Sequence, residues 1–219
     1  FGQGVLKVWR DGAELVSYAG PLGYNDQIGP YWKNGIYREA SPETMAVAFS
    51  DFTLVEGASA VAATRILGTG ENDTLVGNSR HNRIAGFGGE DELRAGRGND
   101  RLDGGDGRDQ LIGGTGRDIF VFSTALKPGQ PDWIVDFKPT IDRIALDDAV
   151  FEAIGPLGAL DPSVFVVGRR AQDLEDRVIH NPDTGRLVYD PDGTGPAKAI
   201  CIAHLTKGLT VSADDILII

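Results

Sequence analysis

The sequence predicts an all-β chain whose middle is a parallel β-roll, with further β structure on both sides. Three observations lead there. Thirty of the 219 residues are glycine, about twice the usual share of ~7%, and 14 of them fall within residues 68–121. Those 54 residues divide into six units of nine with no insertion. On either side, short apolar runs are broken by Gly, Pro, Asn and Asp, which is how strands and turns are written.

Val5-Leu-Lys-Val-Trp9 and Ala13-Glu-Leu-Val-Ser-Tyr18 read as a hairpin closed at Asp11-Gly12, a dipeptide suited to the positive φ of tight hairpin turns. A Gly/Pro-rich loop from Gly20 to Pro30 then leads to a strand at Tyr31–Arg38, and a last strand spans Met45–Leu54. About 55 residues of half-buried strand make a poor independent core, so residues 1–55 are expected to be the severed end of a larger β-jelly-roll sheet domain. The chain opens mid-pattern at Phe1-Gly-Gln-Gly, without an initiator Met or a charged-then-apolar leader, so it is expected to be the C-terminal portion of a longer protein. Residues 56–67, rich in alanine, read as a linker.

The nine-residue units begin at Gly68, Gly77, Gly86, Ala95, Gly104 and Gly113. Their sixth positions are Asp73, Asn82, Asp91, Asp100, Asp109 and Asp118; their eighth are Leu75, Ile84, Leu93, Leu102, Leu111 and Phe120. This is the GGxGxDxUx pattern of a calcium-binding parallel β-roll. The glycines, among them Gly89, Gly98, Gly105, Gly107, Gly114 and Gly116, permit turns that side chains would strain. Such turns aim carbonyl oxygens and the Asp carboxylate into one gap between coils, and Ca²⁺ takes six to eight oxygens at about 2.3–2.6 Å. The eighth residue points inward and can be buried only when units stack. Successive turns alternate between two sides, so Asp91 should face Asp109 and Asp100 should face Asp118. Asp73 with Asp91 is expected to be weaker because Glu71 replaces a glycine. Asn82 with Asp100 should be weaker still, since Arg80 replaces a glycine and Asn82 is uncharged. A flexible Gly-rich linker is the plain alternative, and the joint phasing of Asp and Leu speaks against it.

Residues 122–219 read as a C-terminal β domain. Tyr189-Asp-Pro-Asp-Gly-Thr-Gly could be a second cation loop through Asp190 and Asp192, but it lacks the ligand run and closing Glu of an EF-hand; a turn joining Leu187-Val-Tyr to Ala199-Ile-Cys-Ile is favoured. Cys201, in that apolar strand, is expected to pack as a small hydrophobe.

Charge narrows the function classes. With 32 acidic and 21 basic residues the net charge is −11, made up of −2 in 1–67, −3 in 68–121 and −6 in 122–219. That balance speaks against nucleic acid or an anionic membrane as partner. One cysteine allows no internal disulfide, and the three histidines form no HExxH pair. No apolar run is long enough to span a bilayer. A monomer is expected.

The nonapeptides resemble those of the RTX (repeats-in-toxin) proteins, secreted by Gram-negative bacteria through type I systems. The flank from Gly116-Arg-Asp-Ile-Phe-Val-Phe through Asp132-Trp-Ile-Val-Asp-Phe to Asp142-Arg-Ile-Ala-Leu-Asp-Asp looks like the C-terminal domain of serralysin-type proteins. The close, Ala213-Asp-Asp-Ile-Leu-Ile-Ile, resembles their uncleaved secretion signal. The resemblance covers residues 68–219 without the serralysin catalytic domain. It implies Ca²⁺ as cofactor, the type I secretion machinery as partner and an extracellular location. Asp132 and Asp136 match Asp positions that follow the roll in that family; they are either added calcium ligands or strand-edge charges.

In the N-terminal piece, "LKVWRDG", "GPLGYNDQIGPYWKNGIYR" and "VAFSDFTL" look like the end of a heparin-lyase-like β-jelly-roll polysaccharide lyase. The Tyr-x-Lys-x-Gly-x-Tyr core is also similar to the YFKAGxY motif of jelly-roll alginate lyases. Alternation puts Tyr31, Lys33, Gly35 and Tyr37 on one strand face. The resemblance implies β-elimination on an acidic, uronic-acid polysaccharide. Tyr37 would move the C5 proton or protonate the leaving O4, and Lys33 would lower the phenol's pKa and hold the anionic sugar. Tyr31 and Asn25 would contact the sugar. The family's His and Arg lie on upstream strands, so this chain alone should be inactive. The plain alternative is that Tyr37 and Lys33 line a sheet face. A second class of function also stands: a noncatalytic, secreted, calcium-dependent carbohydrate-binding or adhesive protein.

Overall fold

The computed structural model describes residues 64–219 and the backbone of three earlier strands, 3–10, 13–21 and 53–54. The chain forms two units, Phe1–Ala48 and Phe49–Ile219. In the first, β1 (Gln3–Arg10) and β2 (Ala13–Pro21) pair antiparallel across the Asp11-Gly12 position, with a register shift between Val8 and Trp9. This is the expected hairpin. The expected strand at Tyr31–Arg38, most of the one at Met45–Leu54, and the residues Asn25, Tyr31, Lys33 and Tyr37 lie outside the described residues.

The second unit is two eight-stranded sheets, which the chain visits alternately through its central strands. Its strands are β3 (Thr53–Leu54), β4 (Thr64–Leu67), β5 (Thr74–Val76), β6 (Asn82–Ala85), β7 (Glu92–Arg97), β8 (Arg101–Asp103), β9 (Gln110–Thr115), β10 (Ile119–Phe122), β11 (Asp132–Ile134) and β12 (Arg143–Leu146). They continue with β13 (Gly158–Ala159), β14 (Phe165–Val167), β15 (Val178–Asn181), β16 (Arg186–Tyr189), β17 (Ile200–His204) and β18 (Ile216–Ile218). One sheet runs β13-β18-β12-β10-β8-β6-β4-β3 and the other β14-β15-β16-β17-β11-β9-β7-β5. From β4 to β12 every pairing is parallel, because consecutive strands go to opposite sheets and neighbours in a sheet are two strands apart in sequence.

That alternation places the apolar eighth positions. Leu75, Leu93 and Leu111 line the inner face of one sheet, and Ile84, Leu102 and Phe120 that of the other, all exposed by 3% or less. Burying each such side chain contributes about 1.5–3 kcal/mol, and no unit could do it alone.

The linker expected over 56–67 ends early. Thr64–Leu67 is a strand of the roll, with Ile66 (5% exposed) opposite Ile84. Ile66 occupies an eighth position one unit before the first glycine turn; the sequence hid it because Thr64, at the sixth position, replaces the Asp. Both sheets also continue past residue 121: β12 follows β10, β11 follows β9, and one apolar cluster extends from Ile66 to Ile218. The end of the glycine repeat is therefore not an edge of the core.

Beyond β11 the second sheet turns antiparallel through β17, β16 and β15, and the expected turn between Leu187-Val-Tyr and Ile-Cys-Ile joins β16 to β17. Tyr189 packs edge-on against Phe151 with ring centroids 5.2 Å apart and donates its hydroxyl to Glu152 O at 2.6 Å. Cys201 is only half-buried, and its Sγ accepts from Arg186 Nε at 3.4 Å, so it is not the packed hydrophobe expected. The apolar close of the chain, β18, lies between β12 and β13 with Ile216 and Ile218 buried. No described helix is long and apolar enough to cross a membrane.

Candidate metal centre

Each unit enters its strand through a turn, and turns of alternate units stack along the two rims of the roll. On one rim, the Asp73 amide donates to Asp91 Oδ1 at 2.8 Å, the Asp91 amide to Asp109 Oδ1 at 2.9 Å, and the Asp109 amide to Asp132 Oδ1 at 3.0 Å. On the other, the Asn82 amide donates to Asp100 Oδ1 at 2.7 Å, the Asp100 amide to Asp118 Oδ1 and the Asp118 amide to Asp142 Oδ1, both at 3.0 Å. Both expected strong pairs, Asp91 with Asp109 and Asp100 with Asp118, are thus brought together.

The ladder satisfies only half of each carboxylate. Asp91, Asp100, Asp109 and Asp118 are 1–3% exposed, and the Oδ2 of each is buried with no hydrogen-bond partner among the described residues. Buried polar atoms are nearly always paired, and an ionised carboxylate without a partner is the costliest kind to bury. The electrostatics agree. Burial first, with neighbouring carboxylates adding, pushes Asp109 and Asp118 up to about 6 from an ordinary 3.8. Asp132 goes up to about 8 for the same reasons. Burial also raises Asp91 and Asp100.

Carbonyl oxygens converge on the same gaps. Gly107 (φ +148°) and Gly116 (φ +133°) lie so close to the preceding turn of their rim that a Cβ would sit 1.7 Å from Gly89 O and 1.6 Å from Gly98 O. Only glycine lets the turns stack this tightly while keeping the left-handed backbone. Gly89, Gly98, Gly105 and Gly114 likewise have positive φ and face Glu71 O, Arg80 O, Phe87 O and Gly96 O. Glu71 itself needs no glycine, because β5 is the edge strand of its sheet and no described turn stacks beneath it; its carbonyl still faces Gly89.

Among the described residues no three Asp, Glu, His or Cys side chains form a metal cluster. An ion held here draws on paired carboxylates and backbone carbonyls together, the all-oxygen donor set that Ca²⁺ favours. The orphaned oxygens and the glycine cradles fit that ion. At the weaker interval, Asn82 Nδ2 donates to Arg80 O at 2.5 Å and to Asp100 Oδ1 at 3.0 Å, so a side-chain amide already covers those two oxygens.

Past the repeats, Asp132 continues one ladder. Asp136 does something else: its two oxygens accept the Gly113 and Gly114 amides at 2.9 and 2.7 Å. Two further carboxylates escape the sequence reading. Asp142 continues the other ladder, and Asp215 Oδ1 accepts the Thr140 amide at 2.7 Å. A signal for Asp142 was present: Asp132-Trp-Ile134 and Asp142-Arg-Ile144 repeat the Asp-x-apolar triplet of the nonapeptide. Spacings of 23 and 24 residues between ladder members, rather than 18, concealed it.

The family model of the RTX calcium-binding nonapeptide repeat, in four copies, matches residues 67–102 and 86–120. Among solved structures, the chain is similar to the AlgE6R3 subunit of the Azotobacter vinelandii mannuronan C5-epimerase, at 30% identity, a TM-score of 0.45, and coverage of 74% of this chain and 83% of that one. It is also similar to the AlgE6R2 subunit of the same enzyme, at 27% identity and a TM-score of 0.50, over 74% of this chain and 95% of that one. The second likeness covers more of the chain than the repeats alone. A search of curated protein sequences found no match.

Proposed function

We propose that this chain, which belongs to the proteins carrying RTX calcium-binding nonapeptide repeats, is the calcium-triggered folding and export module of a secreted enzyme that cleaves uronic-acid polysaccharide by β-elimination. The observation that carries the calcium part is the row of buried, unpartnered Oδ2 atoms on Asp91, Asp100, Asp109 and Asp118. Bound calcium supplies the positive charge these oxygens lack. The chain's part is to hold carboxylates and carbonyls in two fixed rows, so that the roll closes only where calcium is plentiful. Binding that favours the folded state stabilises it by about 2.7 kcal/mol per site at a hundredfold excess over Kd.

Type I export fits the placement of the C-terminal tail. Ile216 and Ile218 are buried between two strands, so machinery that reads this tail must read it before the sheet closes. Low cytosolic and high extracellular calcium would set that order. A calcium-free form already compact by scattering would contradict this part of the reading.

The polysaccharide is supported by two things. One is the likeness of the N-terminal stretches to jelly-roll lyases, with Tyr37 and Lys33 as catalytic residues and Tyr31 and Asn25 on the sugar. The other is that the similar R-subunits come from an enzyme named for mannuronan. The full-length parent, incubated with heparin-like, glucuronan and alginate polymers, should produce the ultraviolet absorbance of an unsaturated uronate. No such product on any uronic-acid polymer would sink the lyase reading. The second reading, a noncatalytic carbohydrate-binding module, is favoured by a groove in the roll itself. There half-exposed Trp133 stacks on His204 (centroids 4.8 Å apart, planes at 19°) beside Arg108 and Arg186, an apolar platform with cations suited to an acidic sugar. Polymer binding that survives loss of Tyr37 and falls with Trp133→Ala would select it.

A further inference from the structure

The rim that carries Asn82, Asp100 and Asp118 in succession ends at a turn that holds a lysine, a residue type absent from the repeats. Lys138 reaches back with its ammonium to the carbonyl of Gly114. By register that carbonyl corresponds to Gly96 O, which two units earlier faces Gly114 across the gap between stacked turns. The turn carrying Lys138 is built as the next rung. Its backbone amide donates to Asp142 Oδ2 at 2.9 Å, while Asp142 Oδ1 takes the Asp118 amide at 3.0 Å.

This last interval therefore has the same elements as the interior ones, two ladder carboxylates and a turn carbonyl, with an ammonium on that carbonyl. We propose that Lys138 is a tethered cation that takes the place of calcium in the interval between the turns 113–118 and 138–142, and so ends the calcium array on that rim. This rests on the calcium reading above. At the opposite end of the same rim the Asn82 side-chain amide covers Arg80 O and Asp100 Oδ1, so that of the Asp100 carboxylate only Oδ2 is left without a partner among the described residues. Between these two ends lies the interval from Asp100 to Asp118, where Asp118 Oδ1 takes only a backbone amide and Asp118 Oδ2 has no partner among the described residues. A lysine suits the role because its ammonium is a compact, three-donor point charge.

The test is the number of calcium ions bound per chain, measured by equilibrium dialysis with metal analysis on the intact chain, for the native protein, Lys138→Met and Lys138→Arg. The methionine variant keeps the stem and removes the charge. It should bind one more calcium per chain than the native protein, and the arginine variant should bind the native number. An unchanged number for the methionine variant would overturn the proposal, as would a gain shared by the arginine variant, which would trace the gain to packing rather than charge. Should the methionine variant fail to fold, the native protein decides: the ¹⁵N-detected ammonium signal of Lys138 should be protected from exchange in the calcium-loaded chain. An ammonium that exchanges freely in the calcium-loaded chain would show displacement by the ion and contradict the proposal. If the native protein binds no calcium at all, the reading beneath it fails instead, which the same dialysis separates.

Discussion

Residues 68–121 and the segment that follows share two sheets and one core, yet they meet the polar demands of their turns in opposite ways. The repeat array leaves them open: Asp91, Asp100, Asp109 and Asp118 each bury an oxygen without a partner among the described residues, and the glycine turns hold carbonyls toward the same gaps. The later turns close on themselves. Asp136 takes the Gly113 and Gly114 amides, Asp142 takes the Lys138 amide, Lys138 covers Gly114 O, and Asp215 takes the Thr140 and Ser212 amides. Net charge does not separate the two, since the array carries only −3 of the −11. What separates the array from the turns at 136–142 and 212–215 is whether the carboxylates have their partners within the chain or must find them in solution.

The largest break in that contrast should come from Asp100→Ala combined with Asp109→Ala, one ladder carboxylate from each rim. Removing both should abolish most of the calcium-induced rise in melting temperature, a loss of roughly 5 kcal/mol at saturating calcium if two sites are lost. Calorimetric melts with calcium and with chelator check it; a calcium response equal to the native one would count against the ladder.

Next in size is Phe120→Ala, in the shared core, which should cost about 3–5 kcal/mol. Because Phe120 (0% exposed) belongs to the cluster spanning Ile66 to Ile218 and sits in the array itself, the loss should appear in full with calcium and shrink in chelator, where the array is already open. Denaturant unfolding in both conditions would show this.

A smaller and more local effect distinguishes the turns. Gly107→Ala forces a Cβ against Gly89 O at a positive φ and should cost about 1–3 kcal/mol for backbone strain alone. Gly70→Ala, with nothing within 4 Å of its added Cβ, should be nearly neutral. Chemical denaturation of the pair tests whether stacking or mere glycine content matters.

The smallest expected effect is on pH. Asp109 and Asp118 near 6 and Asp132 near 8, all above the ordinary 3.8, hold protons in the folded chain that the unfolded chain has released. Stability of the calcium-free form should therefore fall as pH rises from about 4 to 8. His180, fully buried with both ring nitrogens unpartnered among the described residues and its pKa lowered by burial, works the other way, but only below its ordinary 6.5. In chelator the chain should therefore keep more β-structure by circular dichroism at pH 6.5 than at pH 8, and calcium should erase that difference.

The repeat was legible because two constraints share one period: a carboxylate every nine residues for the rim and an apolar residue two places later for the core. Ile66 escaped because its unit lacks both the glycine turn and the Asp, leaving only the core constraint. Asp142 escaped because a longer loop breaks the period while the stacking continues, and stacking, not sequence distance, is what the ladder requires. The roles of Asp136 and Lys138 were hidden for a different reason. A carboxylate that caps two amides and a lysine that covers a carbonyl depend on which turn the chain returns to, and residue type alone carries no such information.

Backbone hydrogen exchange across Thr64–Ile219, followed with millimolar calcium and with chelator, tests the central claim most directly. Chelation should strip protection from the strands and turns of residues 68–121, and calcium should restore it, while strands β15 to β17 change far less. Protection of the array that is the same in both conditions would contradict the claim that its buried carboxylates depend on calcium.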